Sequence, residues 1–318
     1  TGVEEVILPT NPDDYEIVPV ARSAVPTSVK ISVVEASAER GLPDLILAAR
    51  PFLGDQPFIF YLADNLFQNG IGRCVEAFLK VPGCDCCVML AATERPENFG
   101  AVELDLNLPI RFEETPKSPK GMETVTGVYA YSNRVFDAVE QLTAETSGYL
   151  TMSELHQYLL SNGYAISWVR SHGWWRDAGS LADFREANEL ILKAQAGELR
   201  GAIDAYSRIE GSPIVRPTAS VKDSLIIGPS FISEGCRIEK STIGPYAVIG
   251  RASVIVDSTV VHSVLLPGCS VTGGLKVLNS LAGENCVLAG PGDVAESLTV
   301  VLGDRCTFHM SSGLGLPG

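Results

Sequence analysis

Asp64 and Asp177 are the two best metal-ligand candidates in the chain. Asp64 follows the apolar run Phe58–Leu62, inside the turn-forming group Ala63-Asp64-Asn65. Open α/β sheets border their ligand crevice with the carboxyl ends of such strands. Asp177 ends the segment Gly173-Trp-Trp-Arg-Asp177 and precedes Ala178-Gly179, so its side chain emerges beside tight backbone. A pair of carboxylates suits Mg2+, which takes one or two protein carboxylates, keeps several waters and bridges to phosphates. Either aspartate alone reads better as a turn or N-cap residue, and spacing does not show that they meet.

Other reactive side chains are weaker signals. Trp174 and Trp175 can stack on a base or a sugar, or fill the gap between a sheet and its covering helix. Glu113-Glu114 is an acidic pair that fits a surface or a pocket. Cys84-Asp85-Cys86-Cys87 contains one C-x-x-C spacing, but zinc needs a second pair, and Cys74, Cys236, Cys269, Cys286 and Cys306 are isolated. These cysteines read as small apolar fillers leading into a strand, in a reduced cytoplasmic setting. His262, in Val-Val-His-Ser, fits the general base of an acyl transfer or a corner residue of a repeat.

Composition narrows the classes. The chain has 318 residues and a formal net charge of −14, which argues against a nucleic-acid groove lined with cations. A metal between carboxylates and phosphates keeps nucleotide binding open. The longest apolar runs, such as Pro57–Leu62, are too short to span a bilayer, and no charged-then-apolar leader opens the chain at Thr1.

The elements that must position these groups fall into two domains, expected at 1–203 and 204–318. In the first, strands at Val3–Leu8, Lys30–Glu35, Phe58–Leu62, Cys87–Ala92, Ala101–Leu104, Ile110–Glu113 and Val125–Tyr131 alternate with helical patterns. The helices are expected at Gly41–Arg50, Gly70–Leu79, Asn133–Leu142, Thr151–Asn162 and Leu181–Leu199. That alternation implies a mainly parallel sheet between helices. From Pro213 to Val287 the period changes to six: Ile243-Gly-Pro-Tyr-Ala-Val248 is followed at once by Ile249-Gly-Arg-Ala-Ser-Val254. Such hexads build a left-handed parallel β-helix, here of about four coils, whose apolar faces and open end favour symmetric pairing.

Residues 1–310 resemble the long form of glucose-1-phosphate thymidylyltransferase, a sugar-phosphate nucleotidyltransferase with an appended left-handed β-helix. The matching segments are Gly41-Leu42, Leu62-Ala-Asp-Asn-Leu-Phe67, Arg95-Pro-Glu-Asn-Phe-Gly100, Phe112-Glu-Glu-Thr-Pro116, Val125-Thr-Gly-Val-Tyr129 and Gly173-Trp-Trp-Arg-Asp-Ala-Gly179, with Leu298–Asp304 as a closing strand. The resemblance implies a Rossmann-like nucleotidyltransferase domain, a nucleoside triphosphate and a sugar 1-phosphate as substrates, and Mg2+ as cofactor. It puts Asp64 and Asp177 at the metal, Gly100, Glu114, Thr126 and Gly127 along the sugar pocket, and Gly41 and Leu42 beside the nucleotide base.

The departures from the family pattern matter as much. The family's Gly-rich, Arg-containing triphosphate loop has no counterpart, since the chain begins downstream of it. Its strand would lie mid-sheet, so upstream residues or another segment are expected in that slot. The base-reading Gln falls at Ala36 and the Lys that pairs with the sugar phosphate at Thr115. The Arg before the family's Gly-Glu-Leu segment falls at Ser147, acidic residues there become Tyr149 and Thr151, and the Gly before the metal Asp is Ala63. Three readings follow. One is a sugar-1-phosphate nucleotidyltransferase weakened by these replacements. The second is a non-catalytic homologue that binds a nucleotide sugar, regulates or assembles, as a homo-oligomer or with an active partner. The third is a hexapeptide acyltransferase using His262.

Overall fold

The computed structural model describes residues 2–11, 17–36, 38–118, 121–292 and 297–310. The chain divides into two compact units, Thr1–Asp177 and Ala178–Gly318. In the first, β1 (Glu5–Thr10) and β2 (Lys30–Glu35) pair in parallel as a sheet of their own, with α1 (Ile17–Ala24) between them in sequence. Next come α2 (Leu42–Leu53), β3 (Phe58–Tyr61), β4 (Asn65–Phe67), α3 (Gly72–Lys80), β5 (Cys86–Ala91), β6 (Ala101–Asp105), β7 (Leu108–Glu113) and β8 (Met122–Tyr131). The unit closes with α4 (Val135–Glu145), α5 (Met152–Ser161), β9 (Ile166–Arg170) and β10 (Trp175–Asp177).

The main sheet runs β7-β6-β8-β5-β9, with β3 also on β8. The α/β architecture is as expected, but strand direction is not. Only β5–β9 is parallel in this sheet, while β8 is antiparallel to β3, β5 and β6. The alternation of strands and helices did not reveal the hairpin β6–β7 or the ten-residue β8 that returns through the middle. One edge of β8 takes β5. Its other edge takes β3 along Val128–Tyr131 and β6 along Met122–Thr124. Between those two partners lie Val125–Gly127.

β5 has no exposed residue, and its side chains divide by strand parity. Cys86, Val88 and Leu90 join Ile46, Phe136, Leu155 and Leu159 under α2, α4 and α5. Cys87 and Met89 join Cys74 of α3. The cysteines are therefore packing residues, all with free thiols. His156 of α5 is 1 % exposed, with Nε2 2.7 Å from the Tyr131 hydroxyl. Burial lowers its pKa to about 3. The folded state then resists a proton that the unfolded chain binds below about pH 6.5, so stability is full above that pH and falls as pH drops toward 3. Urea unfolding at pH 7 and pH 5 should differ by about 2 kcal/mol from this group, and His156→Gln should remove that share of the slope.

The second unit opens with α6 (Leu181–Lys193), N-capped by Ser180, whose Oγ accepts the Asp183 N–H. The helix ends six residues before the expected Leu199, because Glu198–Leu199 is already the first strand of the solenoid. A Cβ at Gly197 would stand 3.0 Å from the Ser212 backbone, a tight contact. The solenoid consists of three parallel sheets of seven, seven and six strands, reaching His309. It is thus longer than the four coils expected from Pro213–Val287, and Leu298 and Leu302 lie in further rungs of it. Partners recur after 17 or 16 residues in the middle coils (Ile214, Phe231, Val248, Val264, Leu281) but after 20 or 21 in the last (Leu281 to Val301, Lys276 to Ser297), so the last rung falls out of the six-residue phase. Ile232, Ile238, Ile243, Ile249, Ile255 and Val271 fill the interior.

α6 runs along this prism with one helical turn per coil. Arg185 donates to Asn279 at 2.8 Å, Glu189 meets His262 Nδ1 at 3.1 Å, and the Lys193 ammonium sits 4.9 Å from the Tyr246 ring. The His262 imidazole also lies edge-on to Tyr246. In this structure His262 is a docking contact between helix and solenoid.

Candidate functional site

The turn after β3 and strand β10 bring the two aspartates together. β4 and β10 pair antiparallel with Asp177 opposite Asn65, so Asp177 lies diagonally across from Asp64. Both belong to the first unit. Asp64 is exposed and Asp177 half-buried. Burial, with Asp64 nearby, raises the pKa of the Tyr61 phenol, whose hydroxyl donates to the Asn65 carbonyl.

Asn65 holds this corner. It is 1 % exposed, and its Oδ1 accepts from Gly127 N–H at 2.9 Å and from Trp175 Nε1–H at 2.7 Å. Its Nδ2 donates to Asp64 Oδ1 at 2.9 Å. Gly127 must be glycine here: a Cβ would stand 2.7 Å from Asn65 Nδ2 and 2.8 Å from Leu62 Cβ. Trp175 is 3 % exposed and meets Phe99 edge-on at 5.0 Å, so of the two tryptophans this one fills the core. Trp174 is half-buried, and its backbone exchanges hydrogen bonds with Gln68.

Phe99 leads to the second cluster. Gly100 accepts the Val125 N–H, two residues along β8 from Gly127 and thus about 6.8 Å away. A Cβ at Gly100 would lie 2.8 Å from Ser153 Oγ and 3.6 Å from a Glu114 carboxylate oxygen. Gly100, Glu114 and Ser153 therefore share one small space. Tyr129 beneath it has its pKa raised, first by burial and then by the charge of Glu114. Thr126 faces away: it is 1 % exposed, and its hydroxyl donates to the Met89 carbonyl.

Gly41 and Leu42 start α2, where Gly41 lies against Leu150, two residues before α5. Thr151 caps α5 through a reciprocal box with Glu154, and Ser153 follows it into the Gly100 cluster. Ala36 follows directly on β2 with its N–H on the Thr10 carbonyl, and its methyl offers nothing to a base edge. Thr115 is exposed, with φ 42.

The donor set fits a hard cation. Asp64 and Asp177 offer oxygen ligands from neighbouring register positions. Among the described residues no three His, Cys, Asp or Glu side chains group to hold a metal, so water and phosphate oxygens would complete the shell, as Mg2+ prefers. Sequence reading did not single out Asn65, Tyr61, Phe99 or Ser153. Asn65 passed as a turn former, and nothing local shows that its amide reaches two other strands.

Comparison with known proteins decides the family. The nucleotidyl transferase family model matches residues 1–194. A glucose-1-phosphate thymidylyltransferase of Streptomyces griseus is 30% identical over 312 residues, covering 98% of this chain and 88% of the relative. The chain belongs to the nucleotidyl transferase family. Another relative is the low-salt glycan biosynthesis nucleotidyltransferase Agl11 of Haloferax volcanii, 29% identical over 89% of this chain and 80% of that one. The bifunctional protein GlmU of Methanocaldococcus jannaschii is 27% identical over 81% of this chain and 62% of its own length. A Bacillus anthracis crystal structure of a protein assigned as a glucose-1-phosphate thymidylyltransferase aligns with a TM-score of 0.54 and 26% identity, over 61% of this chain and 78% of that one. Sugar-phosphate nucleotidyltransferases of this kind take a nucleoside triphosphate and a sugar phosphate. Among the described residues no helix is long and apolar enough to cross a membrane.

Proposed function

We propose that the chain transfers a nucleotidyl group from a nucleoside triphosphate to a sugar 1-phosphate, with dTTP and glucose 1-phosphate as the first pair. A sugar-phosphate oxygen attacks the α-phosphorus, the bond to the β-phosphate oxygen breaks, and pyrophosphate leaves with the electron pair. Asp64 and Asp177 would hold Mg2+, which when bound offsets the negative charge of the phosphates. Gly100 and Glu114 would receive the sugar, with Gly127 keeping β8 close to the carboxylate corner. Gly41 and Leu42 would lie against the base. The work is positioning and charge compensation, with no covalent enzyme intermediate.

The observation that supports this reading is the β4–β10 register, in which Asp177 pairs with Asn65, the residue after Asp64. A second reading is favoured by Thr115 and Ala36, which carry neither a phosphate-pairing charge nor a base-reading amide: a nucleotide-sugar-binding subunit that assembles with itself or with an active homologue. Pyrophosphate release over a panel of sugar phosphates and nucleoside triphosphates separates the two. Turnover that disappears in Asp64→Ala and Asp177→Ala supports catalysis. Binding of nucleotide sugar without turnover supports the second reading.

A further inference from the structure

The amide of Asn65 joins four strand or turn segments, and the chemistry of its neighbours fixes which way it points. Gly127 N–H and Trp175 Nε1–H are both donors, at 2.9 and 2.7 Å, so the amide oxygen must face them. The NH2 end is then directed at Asp64 Oδ1, 2.9 Å away. The Tyr61 hydroxyl holds the backbone carbonyl of the same residue. Asn65 is 1 % exposed, so water does not compete for these bonds, and the amide lies so close to Gly127 that a Cβ there would stand 2.7 Å from its Nδ2.

From this geometry we infer that Asn65 is a positioning residue: it orients the Asp64 carboxylate for a divalent cation and locks it to the strand that carries Asp177. The inference rests on the metal reading of Asp64 and Asp177 given above. One side chain anchors Trp175, two residues before Asp177, and Asp64 itself. Orientation of ligands by such partners typically changes metal affinity about 10- to 100-fold. A merely structural Asn65 would stabilise the corner without affecting how Asp64 meets a cation.

The test titrates Mn2+ into the full chain, reading free Mn2+ by electron paramagnetic resonance and folding by circular dichroism. Asn65→Ser, which leaves space for water to satisfy the freed N–H groups, should weaken Mn2+ binding about 10-fold or more. Trp175→Phe removes one accepted bond but leaves the donor to Asp64, and should stay within about threefold. Adding Asn65→Ser to Asp64→Asn should weaken binding no further, since both act on one carboxylate. Retained affinity in folded Asn65→Ser, or losses that add, would overturn the inference while leaving the metal reading intact. Mn2+ binding that is absent, or indifferent to Asp64→Asn, would overturn both. Asn65→Leu is the second variant. If neither Asn65 variant folds while Trp175→Phe does, the residue is a fold determinant and the inference fails.

Discussion

Thr115→Lys is expected to raise pyrophosphate release from dTTP and glucose 1-phosphate about 100-fold, and to tighten glucose 1-phosphate binding alongside it. A positioned group that offsets charge at a reacting phosphate is worth on the order of 100- to 1,000-fold in rate. Position 115 follows Glu114, whose carboxylate already borders the Gly100 space, so a lysine there starts one residue from the proposed sugar pocket. Stability gives a second, independent readout. Thr115 is β-branched, precedes Pro116 and has φ 42. Left-handed backbone is costly for a branched residue, and the position before proline disfavours it further. An unbranched lysine relieves part of that strain, so the variant should be at least as stable as the parent. Isothermal titration with glucose 1-phosphate and a pyrophosphate-release assay check both arms. Unchanged affinity in a folded Thr115→Lys protein would mean that phosphate charge is met elsewhere, with the exposed Lys117 the first residue to test.

The two units differ in how much of them their local patterns disclose. The solenoid was legible because each coil repeats one simple demand, an aliphatic residue turned inward. Ile243, Ile249 and Ile255 meet that demand at six-residue steps, and each is fully buried. Its length was not legible, since the last rung follows 20 or 21 residues after its partner strands and falls out of the six-residue phase. In the first unit, β5 and α5 were readable from an apolar run and an amphipathic pattern, both local. The reversal of β8 depends on pairing between distant segments, which no window reports. The same holds for the site. Asp64 and Asp177 stood out as carboxylates in turn-like settings, whereas Asn65 acquires its role only through Gly127 and Trp175, which lie 62 and 110 residues away along the chain. Thr126 shows the converse: its segment matched a family motif, yet strand parity turns its hydroxyl toward Met89.

Gly41→Ala should be the most damaging single-atom change in the first unit, costing about 3–4 kcal/mol. Gly41 has φ 110 and ψ 170, a region that side chains other than hydrogen rarely enter. Its Cβ would fall 1.9 Å from the Leu150 carbonyl oxygen and 2.9 Å from the carbonyl carbon. That neighbour is backbone, so no rotamer change relieves the clash. Leu150 is tied back by its N–H on the Arg40 carbonyl at 2.8 Å, and it immediately precedes the Thr151–Glu154 capping box. Moving it would disturb the start of α5 and carry Ser153 away from Gly100. The expected result is a lower urea midpoint for the first unit, an unmoved transition for the solenoid, and weaker dTTP binding, because Gly41–Leu42 is the segment proposed to meet the base. Gly54→Ala is the matched control. Gly54 also has positive φ, 56, but a Cβ there meets nothing within 4 Å. With φ 56 and ψ −130 it should cost only the backbone penalty, about 2 kcal/mol. Equal losses in the two variants would show that the close approach of Gly41 to Leu150 does not constrain the fold.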